Sequence, residues 1–202
     1  MGVKSLRENK KSTQFNKELL TVGGSLGHLS VYWDPKLARV ILNKRHKIHF
    51  FNSEKSSESL NQALKFIFKI SGNICFVNSK EKFSSISKEA AFRSLQPALT
   101  DNWTNGLLTN SNLLQKEKIS ALFIINGKDD SFIIKESNKL NIPVISINDT
   151  DTNSHLISYP IFANDNSARI QHFISSIISD VIVEKSLFDF ARHLKKDLQK
   201  KI

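Results

Sequence analysis

Ala121-Leu122-Phe123-Ile124-Ile125 and Pro143-Val144-Ile145-Ser146-Ile147 are short apolar runs on either side of a helical stretch, Phe132 to Leu140. Such runs are typical of strands buried on both faces of a parallel sheet. The same alternation precedes them: Lys47–Phe51 before Glu54–Ile70, and Asn73–Asn78 before Glu81–Ser94. Alternating strands and helices predict an α/β fold, a three-layer sandwich with helices on both faces of a mainly parallel sheet.

The two ends of the chain differ from its middle. Residues 1–21 are polar and basic and predict an extension that orders only against a partner. Residues 22–184 predict one α/β domain, whose last helix runs from about Ser167 to Glu184 with one apolar face. Residues 185–202 predict a basic amphipathic C-terminal helix, because Lys and Arg surround an apolar stripe there.

The charge balance points to a polyanionic partner. The 202 residues carry a formal net charge of +10 and have a pI near 9.7. This excess favours nucleic acid first and an anionic membrane second. No apolar run approaches the roughly 18 residues of a membrane-spanning helix. The single cysteine, Cys75, lies in an apolar stretch and predicts a core residue without an intramolecular disulfide.

The motifs of enzymes on this kind of sheet are missing. The sequence has neither a Walker-type loop nor a dinucleotide fingerprint. Asn148–Asn153 is a cluster of oxygen side chains that in principle suits Mg²⁺ or acid–base chemistry, but no correctly spaced third carboxylate accompanies it, and a polar turn is favoured. His28, His46 and His49 favour packing or phosphate contacts over zinc. We therefore predict no catalytic residue, metal, cofactor or small-molecule substrate.

A basic patch near Tyr32 and Trp33 is the strongest candidate for a binding site. Its cations lie within a dozen positions: Lys36, Arg39, Lys44, Arg45, His46 and Lys47. Basic and aromatic side chains together suit phosphate contacts with occasional stacking on a base or ribose. The alternative for this patch is an ordinary solvated face.

Several motifs in order resemble one known family. The opening motifs are Gly24-Ser25-Leu26-Gly27-His28, Trp33-Asp34-Pro35-Lys36 and Ile48-His49-Phe50-Phe51-Asn52. Asn102–Asn110 follows in the centre, Ala121–Ile145 forms a strand-helix-strand unit, and Asn148-Asp149-Thr150, Tyr159-Pro160-Ile161 and Asn164-Asp165 close the series. Together they resemble the bacterial and organellar small-subunit ribosomal protein number two over roughly residues 22–183.

The resemblance implies a flavodoxin-like sheet and a non-catalytic protein that binds small-subunit ribosomal RNA and neighbouring ribosomal proteins near the junction of head and body. It implies structural roles for the residues of the family motifs: Gly24, Gly27, His28, Trp33, Pro35, Gly106, Thr109, Asn110, Asp149, Thr150, Pro160 and Asp165. The residues that we expect to contact RNA are Lys36, Arg39, Lys44, Arg45, Trp103, Lys195 and Lys196, with packing as the other role open to Trp103.

The sequence departs from the family at Ser25, Leu26, Asn102 and Asn105, and it keeps only residues 111–120 where bacterial members have a long helical hairpin. The reduced protrusion, the basic tail and the Lys-, Asn- and Ile-rich usage favour a mitochondrial ribosome in the matrix, with a plastid or the bacterial cytoplasm as alternatives. Two other functions remain open. One is a nucleotide- or metal-dependent enzyme using Asp149 and Asp151 at a strand end, and the other is a membrane binder acting through the C-terminal helix.

Overall fold

The main sheet has five parallel strands. The structure is a computed structural model that describes residues 16–17, 20–21, 23–100, 103–104, 106–110 and 116–199. The strands of the main sheet are β4 (Asn73–Val77), β5 (Ala98–Leu99), β6 (Ile119–Ile124), β7 (Val144–Asn148) and β8 (Tyr159–Phe162). They lie in the order β5-β4-β6-β7-β8, all parallel. This is the order of flavodoxin-like doubly wound sheets, as the resemblance predicted.

Helices cover both faces of this sheet. They are α1 (Ser53–Lys69), α2 (Ser84–Ser94), α3 (Leu107–Asn110), α4 (Ser131–Lys139) and α5 (Ala168–Gln199). On one face α1, α2 and α5 bury a cluster that includes Phe76 and Phe123, whose rings meet edge to face with centroids 5.3 Å apart. On the other face Leu108 of α3 and Ile133 of α4 pack over Leu122. Strands buried on both sides explain their continuous apolar runs, and the three-layer fold is confirmed.

A small antiparallel sheet precedes the main one. Its strands are β1 (Leu26–Leu29), β2 (Ile41–Arg45) and β3 (Ile48–Phe51), in the order β1-β3-β2. The strand predicted at Lys47–Phe51 therefore exists, but its predicted place in the parallel sheet is wrong. The reason is a two-residue hairpin turn, since His46 and Lys47 have φ of 47° and 65° and reverse the chain from β2 into β3.

The main sheet gains strands that the alternation did not predict. β5 is only two residues long, and β8 contains Pro160. A proline is tolerated there because β8 is an edge strand with one neighbour, β7. Phe51 of the small sheet packs against Phe162 of β8 with ring centroids 6.5 Å apart, in a cluster with Leu37 and Val40. This contact fixes the small sheet beside the end of β8.

The helices predicted from hydrophobic spacing are confirmed within a few residues, with one difference at the C-terminus. A single helix, α5, runs through the expected boundary between residues 184 and 185. The first half of α5 packs on the sheet through the buried side chains of Ile170, Ile174, Ile178 and Val181, whereas the residues beyond 185 are mostly exposed. The expected N-terminal extension lies mostly outside the described residues, as does the first half of the reduced segment 111–120.

Candidate nucleic-acid interface and carboxyl-edge cluster

The carboxyl ends of the strands form the edge beyond which open α/β sheets bind their ligands. Beyond β7 and β8 this edge is covered by the segment that contains β1. Five polar residues meet there, and we call them the carboxyl-edge cluster: His28, Asp149, Thr150, Asp151 and Asp165. Asp149 and Asp165 are buried, at 1% and 2% exposed.

Thr150 organises one half of this cluster. Its hydroxyl accepts a hydrogen bond from the backbone N–H of His28 at 2.9 Å and donates one to Asp149 Oδ1 at 3.1 Å. Its own backbone N–H also donates to Asp149 Oδ1, at 2.5 Å. Gly27 lies against this arrangement, since a Cβ at that position would come within 2.5 Å of Thr150 Cγ2. The glycine of the first motif is thus required for close approach to Thr150.

The charges of the cluster act on one another. His28 Nδ1 lies 3.0 Å from Asp149 Oδ2 and 3.7 Å from Asp151 Oδ1. The Asp149 carboxylate raises the pKa of His28 to about 9 despite partial burial. Burial, followed by the charge of Asp149, raises the pKa of Asp165 to about 7. Lys128 Nζ lies 2.5 Å from Asp151 Oδ2, and the pKa of Lys128 is raised mainly by this contact.

The edge between β4 and β6, where the strand order reverses, is closed by the chain itself. Asp130 is fully buried, and its Oδ1 accepts hydrogen bonds from the N–H and hydroxyl of Ser79. Asn126 Oδ1 accepts the backbone N–H groups of Lys128 and Asp129. A nucleotide-binding loop needs such N–H groups for phosphate oxygens, but here side chains of the protein occupy them. This geometry disfavours a nucleotide site at the switch point.

The predicted basic patch lies on the small sheet and the turn before it. Lys36 and Arg39 are exposed on a 3₁₀ helix, Pro35–Val40, and Lys44 and Arg45 are exposed on β2. We call the exposed stretch 44–47 at the end of β2 the basic hairpin. Among the described residues no carboxylate forms an ion pair with any of these four Lys and Arg side chains. Burial, followed by the charge of Lys44, lowers the pKa of the neighbouring His49.

The other residues expected at an RNA contact lie elsewhere. Trp103 is half-buried, packs against the core beneath α4 and meets Phe132 with ring centroids 6.5 Å apart. The structure thus gives Trp103 the packing position. Lys195 is exposed on α5, far along the chain from the hairpin, and the side chain of Lys196 lies outside the described residues.

Most of the motif residues serve contacts between segments. Trp33 packs edge to face on His49 with centroids 5.0 Å apart, and the backbone N–H of Asp34 donates to the carbonyl oxygen of Thr150 at 2.9 Å. Pro35 begins the 3₁₀ helix, and Gly24 accepts a hydrogen bond from the N–H of Asn164 at 3.0 Å. The opening motifs therefore dock onto the closing ones, across more than 110 positions of sequence. The side chain of Asn110 lies outside the described residues.

One acceptor that the sequence patterns did not reveal is Glu136. Its carboxylate accepts the backbone N–H groups of Gly106, Leu108 and Thr109 at 2.8–3.2 Å, and the Thr109 hydroxyl at 3.1 Å. It thus caps α3 and fixes the motif Gly106–Thr109 against α4. Glu136 lies in the strand-helix-strand unit of the family motifs, but neither that resemblance nor a carboxylate within a helical stretch assigned its role.

Among the described residues, no helix combines the length and the apolar character needed to cross a bilayer.

Comparison with known proteins agrees with the motifs. The family profile described as "Ribosomal protein S2" matches residues 19–120 and 113–185. A "Small ribosomal subunit protein uS2" from Marinobacter nauticus is 31% identical over 219 positions, covering 84% of this chain and 88% of the relative. Proteins of the same name from Ehrlichia chaffeensis and Acinetobacter baylyi are each 29% identical, covering 87% and 83% of this chain and 78% and 87% of the relatives. The chain therefore belongs to the ribosomal protein S2 family.

Proposed function

We propose that this protein is a non-catalytic structural component of the small ribosomal subunit that binds ribosomal RNA through its basic hairpin. The family membership supports the small-subunit role, because the relatives carry that role in their names. The observation that supports RNA contact at this place is the exposure of Lys44 and Arg45 on β2 without carboxylate partners among the described residues.

The local backbone also supports a role in binding. His46 and Lys47 both have positive φ, a conformation that costs free energy for residues other than glycine. The stretch 36–47 contains no acidic residue. Like charges concentrated on a strained turn repel one another in the free protein, and phosphate groups would relieve that repulsion. A polyanion therefore fits this surface better than a neutral partner does.

Salt-dependent RNA binding tests the proposal. The full chain is titrated with transcribed small-subunit ribosomal RNA at several salt concentrations, and the slope of log K against log salt is measured. Each lost phosphate contact lowers that slope by about 0.7–0.9. Replacing Lys44 and Arg45 with Ala should weaken binding and lower the slope by about 1.4–1.8 if both make such contacts.

A matched control separates contact from net charge. Lys65 and Lys69 are exposed on α1, and replacing both with Ala removes the same charge from another surface. The proposal expects this pair to leave RNA affinity and slope nearly unchanged. Equal losses in the two double variants would instead indicate an effect of net charge and would refute the hairpin as the binding site.

Mitochondrial translation is a further part of the proposal. The residue usage and the shortened segment 111–120 support this location. The shortening agrees with the comparisons, because the two pieces of the family match overlap at residues 113–120 and the alignment with the Marinobacter nauticus protein is longer than this chain. The relatives named above are bacterial, so the bacterial cytoplasm is the competing location. Co-sedimentation of the tagged protein with small subunits from mitochondrial extract is the expected result, and recovery only in an RNA-free light fraction would contradict both the location and the ribosomal role.

The enzyme alternative has little support in the geometry. Asp149 is buried beneath β1 and engaged by Thr150, and Asp151 Oδ2 is paired with Lys128. A substrate would have to displace the segment around His28 to reach either carboxylate. The arrangement therefore favours a structural use of the carboxyl-edge cluster.

A further inference from the structure

The C-terminal part of α5 projects beyond the main sheet. α5 begins after the carboxyl end of β8 and runs back to the amino ends of the strands, where the Lys185 ammonium donates a hydrogen bond to the carbonyl oxygen of Ile70, just before β4. Residues 186–199 continue past that point for about 20 Å of helix. We call them the helix extension. The family match ends at residue 185, so the helix extension lies outside the part of the chain that the family shares.

An apolar stripe lies on the surface of the helix extension. Its side chains are Leu187, Phe188, Phe190, Ala191 and Leu194. The four large ones are 48–65% exposed. At about 100° per residue they span roughly 160° of the helix surface, which is wider than the seam of a coiled coil. Several large apolar side chains exposed together mark a contact surface.

The stripe does not continue the side of α5 that faces the core. Nine residues separate Leu187 from the buried Ile178, a spacing that puts the two on opposite sides of the helix. Leu187 instead lies two turns beyond Asp180, on the side where Arg93 of α2 pairs with Asp180 at 2.5 Å. α2 ends at Ser94, directly after Arg93. It is therefore too short to cover the stripe.

The charge near the stripe favours an anionic partner. Residues 185–202 contain six Lys and Arg side chains and two Asp. Arg192 and Lys195 are exposed beside the stripe, and the Arg192 guanidinium lies 5.0 Å from the centroid of the Phe188 ring. Cations at the border of a surface of Leu and Phe are typical of helices that lie in the headgroup region of anionic membranes.

Other occupants fit this surface less well. A second copy of the chain would bring the same excess of positive charge to the contact. RNA offers phosphate groups to Arg192 and Lys195 but no aliphatic surface to Leu187 and Leu194. A protein helix in a coiled coil would cover only a narrow seam of the wide stripe. A membrane surface offers both anionic headgroups and acyl chains.

We propose that the helix extension binds the surface of a bilayer that contains anionic phospholipid. The apolar stripe lies at the boundary of the acyl chains, and Arg192 and Lys195 contact lipid phosphate groups. The helix lies in the plane of the membrane and does not cross it. Lys195 is thereby assigned to lipid, whereas the basic hairpin remains the site proposed for RNA.

Flotation of the full chain with lipid vesicles tests the proposal. Vesicles of phosphatidylcholine alone are compared with vesicles in which one quarter of the lipid is phosphatidylglycerol, at low and high salt. We expect binding to the anionic vesicles that weakens as salt increases, and little binding to phosphatidylcholine alone. Absence of binding to the anionic vesicles would overturn the proposal without the use of any variant. If the chain instead forms dimers and leaves these vesicles unbound, a second copy covers the stripe and the proposal is wrong.

Leu187→Ala combined with Leu194→Ala shortens two side chains of the stripe and keeps every charge. This double variant should bind the anionic vesicles at least about ten-fold more weakly, because less apolar area enters the membrane. Its affinity for ribosomal RNA should not change. Leu42→Ala combined with Leu156→Ala alters two exposed leucines on other elements and should leave vesicle binding unchanged. Equal vesicle binding by the Leu187/Leu194 variant and the unaltered chain, with circular dichroism showing the same helix content, would refute a contact through the stripe.

Arg192→Gln combined with Lys195→Gln tests the cations. Each Lys or Arg near an anionic membrane surface strengthens binding about five-fold, so this pair should weaken binding to the anionic vesicles about 25-fold at low salt. Lys65→Gln combined with Lys69→Gln removes the same charge from α1 and should weaken it much less. Equal losses in the two pairs would indicate an effect of net charge and would contradict a membrane contact at the helix extension.

Discussion

Gly27→Ala tests whether contact with Thr150 determines the shape of the opening motif. The added Cβ would lie 2.5 Å from Thr150 Cγ2 and 2.9 Å from Thr150 Oγ1, where ordinary contacts exceed 3.4 Å. The φ of Gly27 is not in the left-handed region, so the alanine meets a steric conflict without backbone strain. The change in stability caused by this substitution therefore reports the steric conflict with Thr150.

Relief of this conflict requires Thr150 to move. Its hydroxyl then loses the hydrogen bonds to the His28 N–H and to Asp149 Oδ1, each worth about 1 kcal/mol. Crowding in a packed site adds about 1–3 kcal/mol. We expect the free energy of unfolding to fall by about 2–4 kcal/mol, since alanine also restricts the unfolded chain slightly. Urea denaturation followed by the fluorescence of Trp33 and Trp103 measures it.

A second substitution identifies the cause. Thr150→Ser removes the methyl group that the new Cβ meets and keeps the hydroxyl. In the Thr150→Ser background Gly27→Ala should therefore cost at least about 1 kcal/mol less, a coupling well above the roughly 0.5 kcal/mol expected of independent sites. The reasoning is refuted if Gly27→Ala changes stability by less than about 0.5 kcal/mol, or if its cost is the same in both backgrounds.

Two further predictions concern the core and the switch point. Phe123→Ala should lower the free energy of unfolding by about 3–5 kcal/mol, because Phe123 is fully buried. Phe92→Ala is the control, since that side chain is 83% exposed and its loss should change the free energy of unfolding by no more than about 0.5 kcal/mol. Similar urea midpoints for the two variants would contradict the placement of the core. Burial raises the pKa of Asp130 to about 6, above its ordinary value of 3.8. The folded state therefore binds a proton here more tightly than the unfolded state does, and the contribution of Asp130 to stability rises as the pH falls from about 6 to about 4. Asp130→Asn keeps an oxygen acceptor for Ser79 and should remove that part of the pH dependence, as measured by urea denaturation from pH 4 to 7. An unchanged pH profile would count against a buried charge at this position.

The main sheet was predictable where the apolar runs are long. β6 and β7 carry continuous apolar sequence because helices cover them on both sides. Each run is bounded by turn residues and is too short for a buried helix, so the sequence predicts a strand. β5 was not predictable, since two residues, Ala98 and Leu99, contain no period. The hairpin between β2 and β3 was hidden because His46-Lys47 lacks the Asn-Gly or Gly-rich signal of such turns.

The carboxyl-edge cluster shows a different limit of prediction from sequence. Local spacing groups His28 with the nearby His46 and His49, and Asp149 with the nearby Asp151, and it disfavours a metal in both cases. The missing third carboxylate is Asp165, which comes from the loop after the next strand, and His28 reaches it only through the small sheet. Pairings that depend on where one sheet docks on another are not contained in local spacing. The family motifs marked these residues as important but carried no information on which of them meet.

The unbroken course of α5 has a consequence for the last part of the chain. A helix advances about 1.5 Å and turns about 100° per residue, and α5 is anchored in rotation by the buried side of its first half, including Ile174 and Ile178. The direction around the helix axis in which Lys195 lies is therefore determined by the packing of the first half of α5 in the core. Lengthening the helix near residue 185 by one residue would swing the basic surface about a quarter turn away, whereas four residues would nearly restore its direction and displace it by about 6 Å.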